Sequence, residues 1–181
     1  MNIVLVGYRC SGKTTVGKLL ARDLEKGFLD TDHLIEAKTG VSIASYVSQN
    51  GWKNFRRVER EIIEAIATKN NMVIATGGGV VMEQENVEDL KRNGWVVWLI
   101  TEASVIRERM KHAQAQDDFR PALSGADPLN EIDTILRERS PAYERASNYR
   151  VSTDAKTAEQ VEQAIMNILP HTHRDGNGGS C

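Results

Sequence analysis

Near the start of the chain, Gly7-Tyr8-Arg9-Cys10-Ser11-Gly12-Lys13-Thr14 has the residue types and spacing that hold a polyphosphate. Glycines let the backbone curl until successive N–H groups face inward, and a helix starting behind them presents its positive end to the same anion. Lys13 adds a full charge to the β- and γ-phosphates, and the Thr14 hydroxyl is a ligand for Mg²⁺. Gly7 and the run Arg9, Cys10, Ser11, Gly12, Lys13, Thr14 and Thr15 are therefore the expected nucleotide contacts. A chance glycine turn would match the pattern in about one chain in 200 of this length. Here the match also falls between a strand pattern and a helix pattern, where the mechanism needs it. A phosphate loop alone does not choose among GTPase, motor, ATPase and kinase. The sequence has no Asn-Lys-x-Asp to read guanine, and no apolar strand ends in an Asp-Glu pair able to polarise water. A second phosphate acceptor, small because the chain is short, fits better.

Several other groups have chemistry to offer, each with a plainer alternative. Asp30-Thr31-Asp32 follows a short apolar run, where ligands bind in open α/β sheets; the plainer role is a helix N-cap before His33-Leu34-Ile35. Phe55-Arg56-Arg57-Val58-Glu59-Arg60-Glu61 alternates charge along a helix. Arg57 with Glu61 fits a solvated i,i+4 pair, and Arg60 reads as surface charge. Arg56 stands apart, because a guanidinium fork matches both oxygens of a carboxylate. Gly77-Gly78-Gly79 has more backbone freedom than an ordinary turn needs, which suits a ring lying against bare backbone. Arg120 lies in a polar stretch, 113–127, read as a lid whose closure brings its charge onto the transferring phosphoryl and expels water; Asp117 and Asp118 are candidate partners for Arg120 when the lid is open. Arg139 sits near the end of a helix broken at Pro141.

These residues need a scaffold, and the pattern supplies one. Apolar runs at Ile3–Val6, Phe28-Leu29, Met72–Ala75, Trp95–Ile100 and Tyr149–Val151 read as strands. Helical spacing fills 14–26, 33–39, 52–68, 83–93, 103–112, 130–143 and 158–169. The alternation implies a mostly parallel sheet covered on both faces, an α/β fold. Residues 1–170 form one domain, and the polar, glycine-rich 171–181 reads as a frayed tail, with His171, His173 and Cys181 solvated rather than metal-bound. With 23 basic against 25 acidic side chains, no broad field attracts nucleic acid or an anionic membrane. Two cysteines in 181 residues and no apolar leader imply a reducing, cytoplasmic setting.

Together the motifs resemble the shikimate kinase family from about Asn2 to Leu169. They are Gly7–Thr14, Asp30-Thr31-Asp32, Phe55–Glu59, Gly77–Gly79, Arg120-Pro121-Ala122-Leu123 and Arg139-Ser140-Pro141-Ala142-Tyr143. The resemblance implies a P-loop NTPase-type three-layer sandwich with a five-stranded parallel sheet and a mobile lid. It further implies ATP and Mg²⁺ as cofactors, shikimate as small-molecule partner, and a monomer. Asp30 with Thr14 would organise the metal, and Asp32 would act as base. Arg56 and Arg139 would grip the substrate carboxylate, with Glu59 steering Arg56 and Gly77, Gly78 and Gly79 against the ring. Lys13 and Arg120 would stabilise transferring charge, and Arg109 would stack on adenine. The chain departs from many relatives at Tyr8-Arg9-Cys10, at Trp52, which is placed to wall the substrate pocket, and at Ala158 beside the expected adenine site.

Overall fold

The computed structural model describes residues 1–114 and 129–170. β1 (Asn2–Val6) is buried along its whole length, as its unbroken apolar run demands. Its side chains alternate between two cores: Ile3 and Leu5 enter one, Val4 and Val6 the other. The first core is closed by α1 (Lys13–Asp23) and α7 (Ala158–Ile168), the second by α3 (Ile43–Ala67), α4 (Gln84–Arg92) and α6 (Ile132–Ala146). Burying a side chain such as Leu20, Ile63 or Ile165 contributes about 2 kcal/mol.

The sheet has five parallel strands in the order β2 (Gly27–Asp30), β3 (Met72–Ala75), β1, β4 (Gly94–Ile100), β5 (Tyr149–Ser152). Its register pairs Leu5 with Ala75 and with Val97, and Asp30 with Ala75. The carboxyl ends of β1, β2 and β3 therefore lie side by side, which brings the phosphate loop, Asp30 and the glycine turn to one edge. Two further helices, α2 (Thr31–Thr39) and α5 (Ala103–Gln114), rise from that edge. Among the described residues no helix is long and apolar enough to cross a membrane.

Three elements differ from the pattern read in the sequence. α2 starts two residues early, at Thr31, because Asp30 caps it. α3 gains an N-terminal arm: Ser42 accepts the Ser45 N–H, and Ile43 and Val47 pack on Ile35 and Phe55. A kink at Gly51, with φ 77° and ψ 164°, joins that arm to the rest. α6 does not stop at Pro141 but runs to Ala146. Proline removes one backbone donor, yet the Ser140 hydroxyl donates to the Leu136 carbonyl at 2.6 Å and Tyr143 anchors the helix in the core.

Candidate active site

The phosphate loop is held by contacts that dictate its glycines. Gly7 has φ 145°, and a Cβ there would meet the Leu99 carbonyl oxygen at 2.7 Å. Gly12, at φ 93°, starts α1 with no side-chain cap. Lys13 is buried, and its ammonium donates to the carbonyls of Gly7 at 2.9 Å and Tyr8 at 2.7 Å and to Ser11 Oγ at 3.3 Å. Cys10 adopts φ 60°, a left-handed conformation uncommon outside glycine. Its carbonyl accepts from Arg109 Nη1 at 3.1 Å, and Arg109 Nη2 also reaches the Thr153 carbonyl at 3.5 Å. Arg109 thus ties α5 to the loop and to the end of β5.

Asp30 does two jobs. Its Oδ1 accepts the Asp32 N–H at 3.0 Å as the cap of α2, and its Oδ2 accepts from the Thr14 hydroxyl at 2.6 Å. Asp30, not Asp32, is the cap, so the Asp32 carboxylate is turned to other use in the first helical turn. Thr31 is fully buried and accepts the Gly77 N–H at 2.8 Å, locking the start of α2 to the glycine turn. Asp32 Oδ1 and Glu59 Oε1 each lie 2.9 Å from where a Cβ of Gly77 would stand. Two carboxylates therefore converge on one bare stretch of backbone.

Beside them, Arg56 Nη1 donates to Glu59 Oε2 at 2.6 Å, and its guanidinium lies 5.7 Å from the Trp52 ring centre and 5.2 Å from that of Phe55. A Cβ on Gly79 would overlap that guanidinium. Arg139 Nη1 donates to the Gly78 carbonyl at 2.9 Å, and the Tyr143 hydroxyl donates to the same oxygen. Tyr143 stacks on Trp98, and burial pushes its phenol up to about 12. None of Gly77, Gly78 and Gly79 has positive φ. The turn needs glycine because side chains and the phosphate loop approach it closely.

Glu59 is 1% exposed, and burial pushes its carboxyl above the ordinary glutamate range, against the pull of Arg56. Asp32 pushes in the same direction as burial, and Arg139 opposes it. Glu59 Oε1 has no hydrogen-bond partner among the described residues. A buried acceptor of that kind suits a hydroxyl donor on a bound molecule.

The site divides into two hollows. A cleft of about 450 Å³ runs along Ser11–Thr15, Asp30, Arg109, Thr153 and Ala158. A tighter recess of about 50 Å³ is bounded by Trp52, Arg56, Glu59, Gly77–Gly79 and Arg139, with Ile43 from the unexpected arm of α3. Arg9 and Asp32 line both. The sequence-derived candidates on the described residues all border one hollow or the other, except Gly7, which shapes the loop from behind. Arg120, Asp117, Asp118, the 113–127 stretch beyond Gln114 and the 171–181 tail lie outside the described residues.

Two surface expectations are corrected. Glu61 pairs with Lys38 of α2 at 2.7 Å rather than with Arg57, because α2 packs across that face. Arg60 is half-buried and holds Asp89 at 2.6 Å, joining α3 to α4. Sequence reasoning gave no role to Thr31 and Tyr143, although both stand in the motifs it quoted, nor to Thr153. Tyr143 stands four residues after Arg139, a spacing that places both on one helix face. Glu131, which pairs with Arg9 at 2.7 Å from 122 residues away, carried no local signal.

The shikimate kinase family model matches residues 9–170. The shikimate kinase of Symbiobacterium thermophilum is 43% identical over 169 residues, which span 93% of this chain and 96% of that one. That of Thermodesulfovibrio yellowstonii is 41% identical over 165 residues, 91% and 92% of the two chains. Among solved structures, shikimate kinase from Acinetobacter baumannii in complex with shikimate superposes with a TM-score of 0.85 at 34% identity, covering 93% of this chain and 95% of that one. A gluconokinase from Sinorhizobium meliloti reaches 0.56 at 19% identity, over 90% of this chain and 87% of its own, a likeness of fold alone.

Proposed function

The chain belongs to the shikimate kinase family, and we propose from that premise how its residues transfer the γ-phosphoryl of ATP to the 3-hydroxyl of shikimate. The products are shikimate 3-phosphate and ADP. The observation that carries the division of labour is the position of Asp32, on the wall shared by the two hollows. Nucleotide occupies the larger cleft and the acceptor the smaller one.

The loop N–H groups and Lys13 take the triphosphate, with Lys13 exchanging its loop-carbonyl partners for phosphate oxygens. The paired oxygens of Thr14 and Asp30 are hard donors that fit Mg²⁺ and would hold it, directly or through water. When bound, the ion supplies charge neutralisation at the phosphates. Arg56 and Arg139 offer fork donors to the acceptor carboxylate, and Glu59 accepts from a ring hydroxyl. Asp32 takes the proton of the attacking hydroxyl as its oxygen bonds to the γ-phosphorus and the β,γ-bridging bond breaks toward ADP. Arg120 is assigned by sequence to the charge developing on the transferred group. The balanced charge supports a protein that binds neither nucleic acid nor membrane, the paucity of cysteine supports a cytoplasmic setting, and the monomer rests on the family resemblance.

The test is a coupled ADP-release assay with MgATP and shikimate, gluconate, nucleoside monophosphates or no acceptor. Shikimate-dependent turnover is expected. Turnover with gluconate alone would overturn shikimate as the acceptor, and turnover with a nucleotide alone would overturn the carboxylate grip as well.

A further inference from the structure

Arg9 is an unusual side chain for a loop whose work is done by backbone. Its guanidinium is 13% exposed, sits 5.6 Å from the Tyr8 ring centre and pairs at 2.7 Å with a Glu131 side chain only 4% exposed. Glu131 occupies the N-cap position of α6, where a short side chain such as that of aspartate ordinarily accepts an N–H of its own helix. It makes no such cap bond and is turned to the phosphate loop instead.

Two and three turns further along α6, Arg139 and Tyr143 both donate to the Gly78 carbonyl. Gly78 in turn lies against the phosphate loop: a Cβ there would stand 3.2 Å from the Arg9 nitrogen and 3.5 Å from the Gly7 carbonyl oxygen. The contacts close a ring running from Arg9 to Glu131, along α6 to Arg139, to Gly78 and back to the backbone of Arg9. Among the described residues, the Arg9–Glu131 joint is the buried, directional bond that fixes the start of α6 to the loop. The neighbouring Arg107–Asp133 pair joins α5 to α6 at the surface, where such pairs contribute little.

We propose that the buried Arg9–Glu131 pair is a positioning device, closing this ring so that α6 presents Arg139 to the acceptor in register with the phosphate loop. Arg9 and Glu131 act through Arg139, and loosening their joint lets the helix tilt and the guanidinium fork miss the acceptor carboxylate. The inference rests on the acceptor assignment above.

The test compares wild type, Glu131→Gln and the double variant Arg9→Leu/Glu131→Met in steady-state kinetics and thermal unfolding. Replacing a buried ion pair by apolar residues of similar volume is commonly neutral or stabilising, so the double variant is expected to fold with an undiminished Tm. An apolar contact has no direction, so both variants should raise the shikimate KM by about tenfold; because Arg9 itself lines the nucleotide cleft, the comparison with the nucleotide KM is read from Glu131→Gln alone, where that KM should change less. In an Arg139→Lys background, Glu131→Gln should add little further, since the residue it acts through is already lost. A double variant with wild-type Tm and wild-type shikimate KM would reduce the pair to a space-filling role and overturn the proposal. So would full additivity with Arg139→Lys. Absence of shikimate turnover in wild type would instead strike the acceptor assignment itself.

Discussion

At the scale of single residues, the site works by keeping two neighbouring carboxylates in different states of contact. Asp32 stands on the wall shared by both hollows, while Glu59 is sealed against Arg56. Asp32→Asn preserves shape and hydrogen-bonding reach but removes the carboxylate proposed as proton acceptor. Turnover should fall by about 10²–10⁴-fold with nucleotide binding retained, as single-turnover kinetics beside calorimetric titration would show; near-normal kcat would remove Asp32 from the base role. Glu59 yields a prediction on stability. Its folded carboxyl is raised above the unfolded value, so the folded chain holds the proton more tightly. The resulting stabilisation is present below the ordinary glutamate value and is lost as pH rises through the higher, folded one. Glu59→Gln cannot ionise. Its unfolding free energy should therefore gain on wild type as pH climbs through that window and then level off, measured by urea unfolding at a series of pH values. A pH-independent gap would contradict the raised carboxyl.

At the scale of elements, much of the architecture was legible because buried parallel strands are unbroken apolar runs, and the helices behind them keep a regular apolar spacing. The first arm of α3 was not, since Ile43-Ala44-Ser45-Tyr46-Val47 has only two anchors before glycine interrupts the pattern. The structure turns that glycine into a joint: Gly51 at φ 77° and ψ 164° lets the arm swing back so that Ile43 reaches the smaller recess. The region is essentially closed to residues bearing a Cβ. Nothing lies within 4 Å of a Cβ built on Gly51, so an alanine meets no clash and only the backbone resists. Gly51→Ala should cost about 1–3 kcal/mol in stability, or straighten the helix and draw Ile43 from the recess. Thermal unfolding with shikimate KM reads both; an unchanged pair would mean that the kink is not held by glycine. The same physics explains the glycine turn, where the sequence suggested backbone freedom and the structure requires instead missing side chains beneath Arg56, Asp32 and the phosphate loop. Long-range partners such as Glu131 for Arg9 left no trace in local pattern, because no periodicity links residues 122 apart.

At the scale of the molecule, the strand order divides labour between the two edges of the sheet. Among the described residues, the groups assigned to chemistry lie at the carboxyl ends of the strands or on helices beside them. The opposite edge is tied by asparagine: Asn2 is 3% exposed, its Nδ2 donates to the Lys69 carbonyl at 2.7 Å, and its Oδ1 accepts the Met72 N–H at 3.0 Å. Asn93 donates to the same Lys69 carbonyl, so one carbonyl gathers the starts of β1, β3 and β4. A five-residue strand at about 3.3 Å per residue puts some 15 Å between this knot and the phosphate loop. Removing Asn2 leaves the Met72 N–H short of its acceptor in a nearly closed environment, at a cost of about 2 kcal/mol. Asn2→Ala should therefore lower Tm by several degrees, while kcat and both KM values, measured well below the transition, stay at wild-type levels. The rigid sheet separates the two edges, and local loss of a bond at one does not reach the other while the strands stay paired. A shifted shikimate or nucleotide KM in a fully folded Asn2→Ala protein would show that β1 transmits strain along its length, and that the phosphate loop depends on how its strand begins as well as how it ends.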